Sequence, residues 1–177
     1  AGDSERFSVT AQETSPNSLA FNNDGTKMFV MGTIGDDVNE YTLSPGFDVS
    51  TASYVQNFSV AAQESGPVSL VFNNDGTKMF VMGTDGDDVN EYALSTPFDV
   101  STASYNGDSE KFLVAGQESN PRSLAFNNDG TKMFVLGISG DDVNEYTLSP
   151  GFDISTAIYA GDSERFSVTA QETTPNS

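Results

Sequence analysis

Cysteine, histidine and tryptophan are all absent from these 177 residues. Without cysteine the chain forms no disulfide and offers no thiolate nucleophile or ligand. Without histidine it lacks the commonest general base and the commonest transition-metal ligand. Basic residues are scarce as well, 7 against 26 acidic, for a formal net charge of −19. Phosphate backbones are held by Lys and Arg, so no nucleic-acid partner is expected. No stretch approaches the roughly 20 apolar residues of a membrane-spanning helix. With tryptophan missing, the 13 Phe and 6 Tyr must supply much of the core. The acidic balance suits a cation-rich medium, where screening is short-ranged, and it opposes mispairing between similar strands.

What the chain has in abundance is itself. FNNDGTKMFVMG at Phe21–Gly32 returns at Phe72–Gly83, and as FNNDGTKMFVLG at Phe126–Gly137, at spacings of 51 and 54 residues. Such a period marks a repeat architecture. In each copy Asn-Asp-Gly-Thr predicts a tight turn, with Gly25 free to take positive φ. Leu19 and Phe21 before it, and Met28 and Val30 after it, alternate with period two, which predicts strands. A second turn at Gly35-Asp36-Asp37 leads to a strand over Val38–Ser44. Pro45-Gly46 breaks that strand. Phe47–Thr51 then makes a tight connection in which Phe47 and Val49 plug the core, and a last strand ends at Val60. The unit is a four-stranded antiparallel meander of about 53 residues without a helical segment. Repeated radially, it is a β-propeller blade. A parallel β-helix would use shorter coils and need no hairpin in every unit.

The pattern Asp24-Gly25-Thr26-Lys27-Met28-Phe29-Val30, followed by Val38-Asn39-Glu40-Tyr41, resembles the repeat of bacterial YVTN and lactonase-like β-propellers. The resemblance covers every repeat and implies an all-β propeller. The expected organisation is a terminal strand and loop of a preceding blade over 1–18, then blades over 19–60, 61–114 and 115–168. Residues 169–177 form a linker toward a next blade. Residues 160–177 match residues 1–18 at every position but one, Ser15 against Thr174. The chain is therefore three blades plus one surplus terminal strand. Three blades are too few to close a ring, since propellers use about four to eight. The strand around Arg6–Val9 is expected to seek the Val143–Ser149 edge of another copy, giving a ring or a filament.

The resemblance also implies that two loops of each blade share one face. It gathers Asp36 and Asp37 with Gln12-Glu13, Asp87 and Asp88 with Gln63-Glu64, and Asp141 and Asp142 with Gln117-Glu118. Such hard oxygens would suit Ca²⁺; equally, Asp after Gly is ordinary turn chemistry. Lys27, Lys78 and Lys132 are expected as exposed ion pairs, and Tyr41, Tyr92 and Tyr146 as core. Catalysis needs differently placed groups, and blades this alike offer rings of one residue instead. The expectation is a non-enzymatic structural or binding repeat protein, extracellular or at the cell surface, partnered by copies of itself or by glycans. The alternatives are a lectin-like carbohydrate binder and a metal-assisted lactonase-like hydrolase.

Overall fold

The computed structural model describes residues 5–172 and 174–175. Three antiparallel sheets follow one another along the chain. The first is β1 (Pro16–Phe21), β2 (Lys27–Gly32), β3 (Asp37–Thr42) and β4 (Ser53–Ser59). The second is β5 (Pro67–Phe72), β6 (Lys78–Gly83) and β7 (Asp88–Leu94), whose outer edge carries β8 (Ala103–Tyr105) and β9 (Lys111–Leu113). The third is β10 (Pro121–Phe126), β11 (Lys132–Gly137) and β12 (Asp142–Thr147), edged by β13 (Ile158–Tyr159) and β14 (Phe166–Ser167). These are the expected blades. Among the described residues no helix is long and apolar enough to cross a membrane.

Local chemistry shapes each turn. Asn22 Oδ1 accepts the Lys27 amide at 2.9 Å, and Asp24 Oδ1 accepts the Thr26 amide at 3.0 Å and its hydroxyl at 2.6 Å. Gly25 takes φ +71°, which a side chain would resist. The same bonds recur at residues 73–78 and 127–132. The outer connection is not free of helix: Asp48, Asp99 and Asp153 each cap a single 3-10 turn. In the second and third blades a Gly-Asp-Ser-Glu insert adds another 3-10 turn, which splits the outer strand in two.

Because side chains alternate across a strand, each sheet has two apolar faces. Phe29, Met31, Val38 and Val60 of the first blade bury against Leu70, Met79, Val81 and Tyr92 of the second. Phe80, Met82, Val89 and Val114 do the same against Leu124, Met133, Val135 and Tyr146 of the third. The core thus lies between blades. Each fully buried Phe, Met or Val there is worth about 1.5–3 kcal/mol. Strands β1, β5 and β10 lie side by side and bond across the blades: the Leu70 amide donates to Ser18 Oγ at 3.0 Å, and the Leu124 amide to Ser69 Oγ at 3.1 Å.

Two expectations about the ends change. Residues 6–9 form no strand ladder; Phe7 and Val9 instead pack by their side chains on the first blade, with Phe7 edge-on to Tyr41 at 5.5 Å. A strand needs a partner edge, and among the described residues none is paired with this segment. The Val143–Ser149 edge, moreover, is covered within the chain by β13 and β14. A joint made by Arg6–Val9 adding to that edge would have to displace the chain's own outer strands.

Candidate functional site: acidic loops and an inner cleft

Strands β2, β6 and β11 each end in glycine, and a glutamate from the loop before the blade uses the space. The side chain of Glu64 lies where a Cβ on Gly83 would stand, and Glu13 and Glu118 lie likewise over Gly32 and Gly137. From there Glu64 Oε1 accepts the amides of Gly66 at 2.7 Å and Asp85 at 3.2 Å. Glu118 accepts those of Asn120, Ser139 and Gly140 at 2.8, 3.0 and 3.2 Å. These carboxylates stitch together the two loops that were expected to share a face. Glu13, Glu64 and Glu118 are each at most 1% exposed.

Asp36, Asp87 and Asp141 stand beside them in left-handed backbone, at φ 50°, 47° and 50°. Among the described residues, buried oxygens here lack a partner: Glu13 Oε2, Glu64 Oε2, and Oδ1 of Asp36, Asp87 and Asp141. Burial pushes the Glu64 carboxyl up, and burial followed by the nearby charges of Asp37 and Glu13 does the same to Asp36. Asp37, Asp88 and Asp142 turn instead toward the outer strand. Asp37 accepts from Asn57 at 2.6 Å, Asp88 meets Lys111 at 3.5 Å and Asn90 at 2.6 Å, and Asp142 meets Arg165 at 3.4 Å. The two members of each expected cation pair are thus drawn apart. Among the described residues no group of three or more acidic side chains is placed to hold a metal ion.

The recurring lysines also differ from expectation. Lys27 Nζ pairs with Glu40 at 2.7 Å, and Glu40 is 1% exposed. The same ammonium donates to the Phe98 carbonyl of the next blade at 2.6 Å, while Glu40 accepts the Val100 amide at 3.1 Å. Lys78 and Glu91 hold Phe152 and Ile154 in the same way. These pairs are inter-blade clamps, not surface decoration. Their role was hidden in the sequence because the carbonyl they hold lies 71 residues away. Tyr41, Tyr92 and Tyr146 are fully buried, as expected; burial pushes the Tyr41 phenol up to about 12.

A cleft of about 370 Å³ runs across the inner strands, lined by Asn17, Ser18, Leu19, Ser69, Leu70, Ser123 and Leu124. Its polar groups are hydroxyls and one amide, fitted for hydrogen bonding rather than charge.

The chain matches no protein-family model and no curated protein. It is similar to solved structures. One is a Bacteroides fragilis protein provisionally assigned as a 6-phosphogluconolactonase, at 18% identity and TM-score 0.60, over 86% of this chain and 39% of that one. Another is the periplasmic gluconolactonase of Pseudomonas aeruginosa, at 18% identity and TM-score 0.57, over 81% and 38%. A third is the β-propeller domain of Cps50 (Swd1) from Myceliophteria thermophila, at 12% identity and TM-score 0.51, over 81% and 41%. The chain spans about two-fifths of the length of these proteins. At such identities the likeness shows the fold, that of a β-propeller. It also overturns the expectation of a non-enzymatic structural repeat protein, because several of these neighbours are named as lactonases, which are enzymes.

Proposed function

We propose that this chain contributes three blades to a propeller that opens sugar lactones, a hydrolase acting on a cyclic ester. The observation that carries the reading is the likeness of its blades to proteins named 6-phosphogluconolactonase and gluconolactonase, within which the narrower lactonase-like repeat falls. The inner cleft supports it: about 370 Å³ lined by serine hydroxyls and an amide matches the size and chemistry that a monosaccharide lactone requires. The acidic loops enter as candidates for acid–base work, since burial holds the Glu64 and Asp36 carboxyls nearer the pH range where proton transfer is useful. Calcium enters only as a condition of the test, since among the described residues no three acidic side chains are gathered to hold an ion.

The test is lactone opening followed by proton release, with gluconolactone and its 6-phosphate, in calcium and after chelation. Acceleration above the spontaneous rate is expected, lost in Asn17→Trp, which fills the cleft from an exposed position. No acceleration of either lactone under either condition defeats the reading.

A further inference from the structure

We propose that the open face of the third blade is a docking surface for the first blade of a second copy of this chain. The clamp, ladder and ring contacts it would make are already made twice inside the molecule, by equivalent residues in the same register. This inference does not rest on the lactonase reading.

Each blade holds the next through two polar devices, and the first blade adds a third. The first is the clamp: Lys27 and Glu40 take the Phe98 carbonyl and Val100 amide, and Lys78 and Glu91 take those of Phe152 and Ile154. In the third blade Lys132 pairs with Glu145 at 2.7 Å and, among the described residues, takes no carbonyl. The equivalent loop that no clamp holds, among the described residues, is Phe47–Val49 of the first blade. The second device is a side-chain ladder: Asn23 Nδ2 donates to the Asn74 carbonyl at 2.7 Å, and Asn74 Nδ2 to that of Asn128. Continued, it joins Asn128 to the Asn23 carbonyl of the other copy. The third runs along the inner strands. Asn17 Nδ2 donates to the Pro67 carbonyl at 3.1 Å. Arg122 occupies the equivalent place in the third blade, at a half-exposed site. The matching acceptor is the Pro16 carbonyl of the second copy.

Apolar groups agree. Phe98 stacks on Phe29 at 6.4 Å, and Phe152 on Phe80 at the same distance. Phe134 has no such ring, and the ring that would reach it, Phe47, is 60% exposed. Against the open side of the first blade lies an apolar pocket of about 470 Å³, lined by Phe7, Val9, Leu19, Met28 and Val30 among others.

One contact must exchange. Phe58 packs edge-on to Tyr92 at 5.5 Å and Phe112 to Tyr146 at 5.3 Å; the docked copy would bring Phe166 to Tyr41. Phe7 already sits there, in a segment whose residues 5–13 are identical to 164–172. The first-blade face is therefore self-capped by a copy of its partner, and docking swaps like for like while adding the clamp, ladder and ring contacts.

Sedimentation equilibrium of the full chain across concentration tests this. A mass of two or more chains is expected to appear as concentration rises. Phe134→Asp blocks the third-blade face and Phe47→Asp the first-blade face. Each alone is expected to sediment as one chain, and their mixture as a one-to-one complex through the intact faces. Phe7→Ala, which weakens the cap, is expected to strengthen association at least tenfold. Arg122→Glu, a milder change at a half-exposed site, is expected to weaken association at least tenfold with an unchanged melting curve, and serves if either Asp variant fails to fold. A single-chain mass for the wild type at every concentration overturns the proposal, as does association that survives in the Asp variants or is unaltered by Arg122→Glu.

Discussion

The second and third blades carry nearly the same residues and meet different surroundings. Phe80 is fully buried between two sheets, while Phe134, its counterpart, is half-exposed. The side chains of Lys78 and Glu91 are 30% and 5% exposed; those of Lys132 and Glu145 are 45% and 13%. The difference arises from what stands next door. In a propeller blade the hydrogen-bond ladder belongs to the sheet, but the core and the clamp belong to a pair of sheets. A blade is thus stable in proportion to the faces it has covered, as repeat proteins generally are.

Substitutions in matched positions sharpen that contrast. The largest effect is expected from Phe80→Ala, which empties a site enclosed on both sides and should cost about 3–5 kcal/mol in urea unfolding. Phe134→Ala, already open to water, should cost less than half as much. Next comes Gly76→Val, expected to cost about 1–3 kcal/mol, because a β-branched residue resists φ +71° and would strike the Phe98 ring. Gly25→Val meets Phe47, which is exposed and can move aside, so its cost should fall at the lower end. Equal losses would show that the turn, not the neighbouring blade, sets the penalty. Lys78→Met strips the clamp and leaves the buried Glu91 without its charged partner, for about 2 kcal/mol, whereas Lys132→Met, whose partner Glu145 is more open to water, should cost less than half as much when the chain is dilute enough to sediment singly.

The smallest effect is the response to pH. Burial lifts Glu64 and Glu91 above their ordinary 4.5, so the folded chain binds more protons than the unfolded one as pH rises past that value. Their contribution to stability is full below it and is lost upward through the raised range. Asp24, Asp75 and Asp129 act oppositely. The hydroxyl and amide of Thr26, Thr77 and Thr131 hold them below 3.8, giving stability that is lost as pH falls under that value. The melting temperature should therefore be a few degrees higher near pH 4.5 than at pH 7, then decline on further acidification. Glu64→Gln should flatten the rise. A steady climb in melting temperature from pH 4.5 to 7 would contradict the burial of these carboxyls.

The blade was legible in the sequence because its determinants are local. Asn22 to Lys27 is a closed hydrogen-bond circuit within six residues, and the period-two alternation of Met28 and Val30 marks the strand without outside help. The gathering of Asp36 with Glu13 was legible too, once the meander was recognised. What the Glu13 family does there was not, since that depends on glycines such as Gly83 leaving room above the strand. Nor was the parting of Asp37 from Asp36, which goes with the left-handed backbone of Asp36 just before β3 begins. Clamps such as Lys27–Glu40–Phe98, the self-capping of the first blade by Phe7, and the loss of strand pairing at residues 6–9 were decided only in the tertiary structure. Each depends on which sheet lies beside another, a relation among residues some thirty to seventy positions apart. The sequence by itself determined the repeated unit, through turn chemistry and alternation within single hairpins. The tertiary structure decided which copies of that unit are covered and which stand open, because burial depends on the neighbour and identical residues acquire it only where one is present.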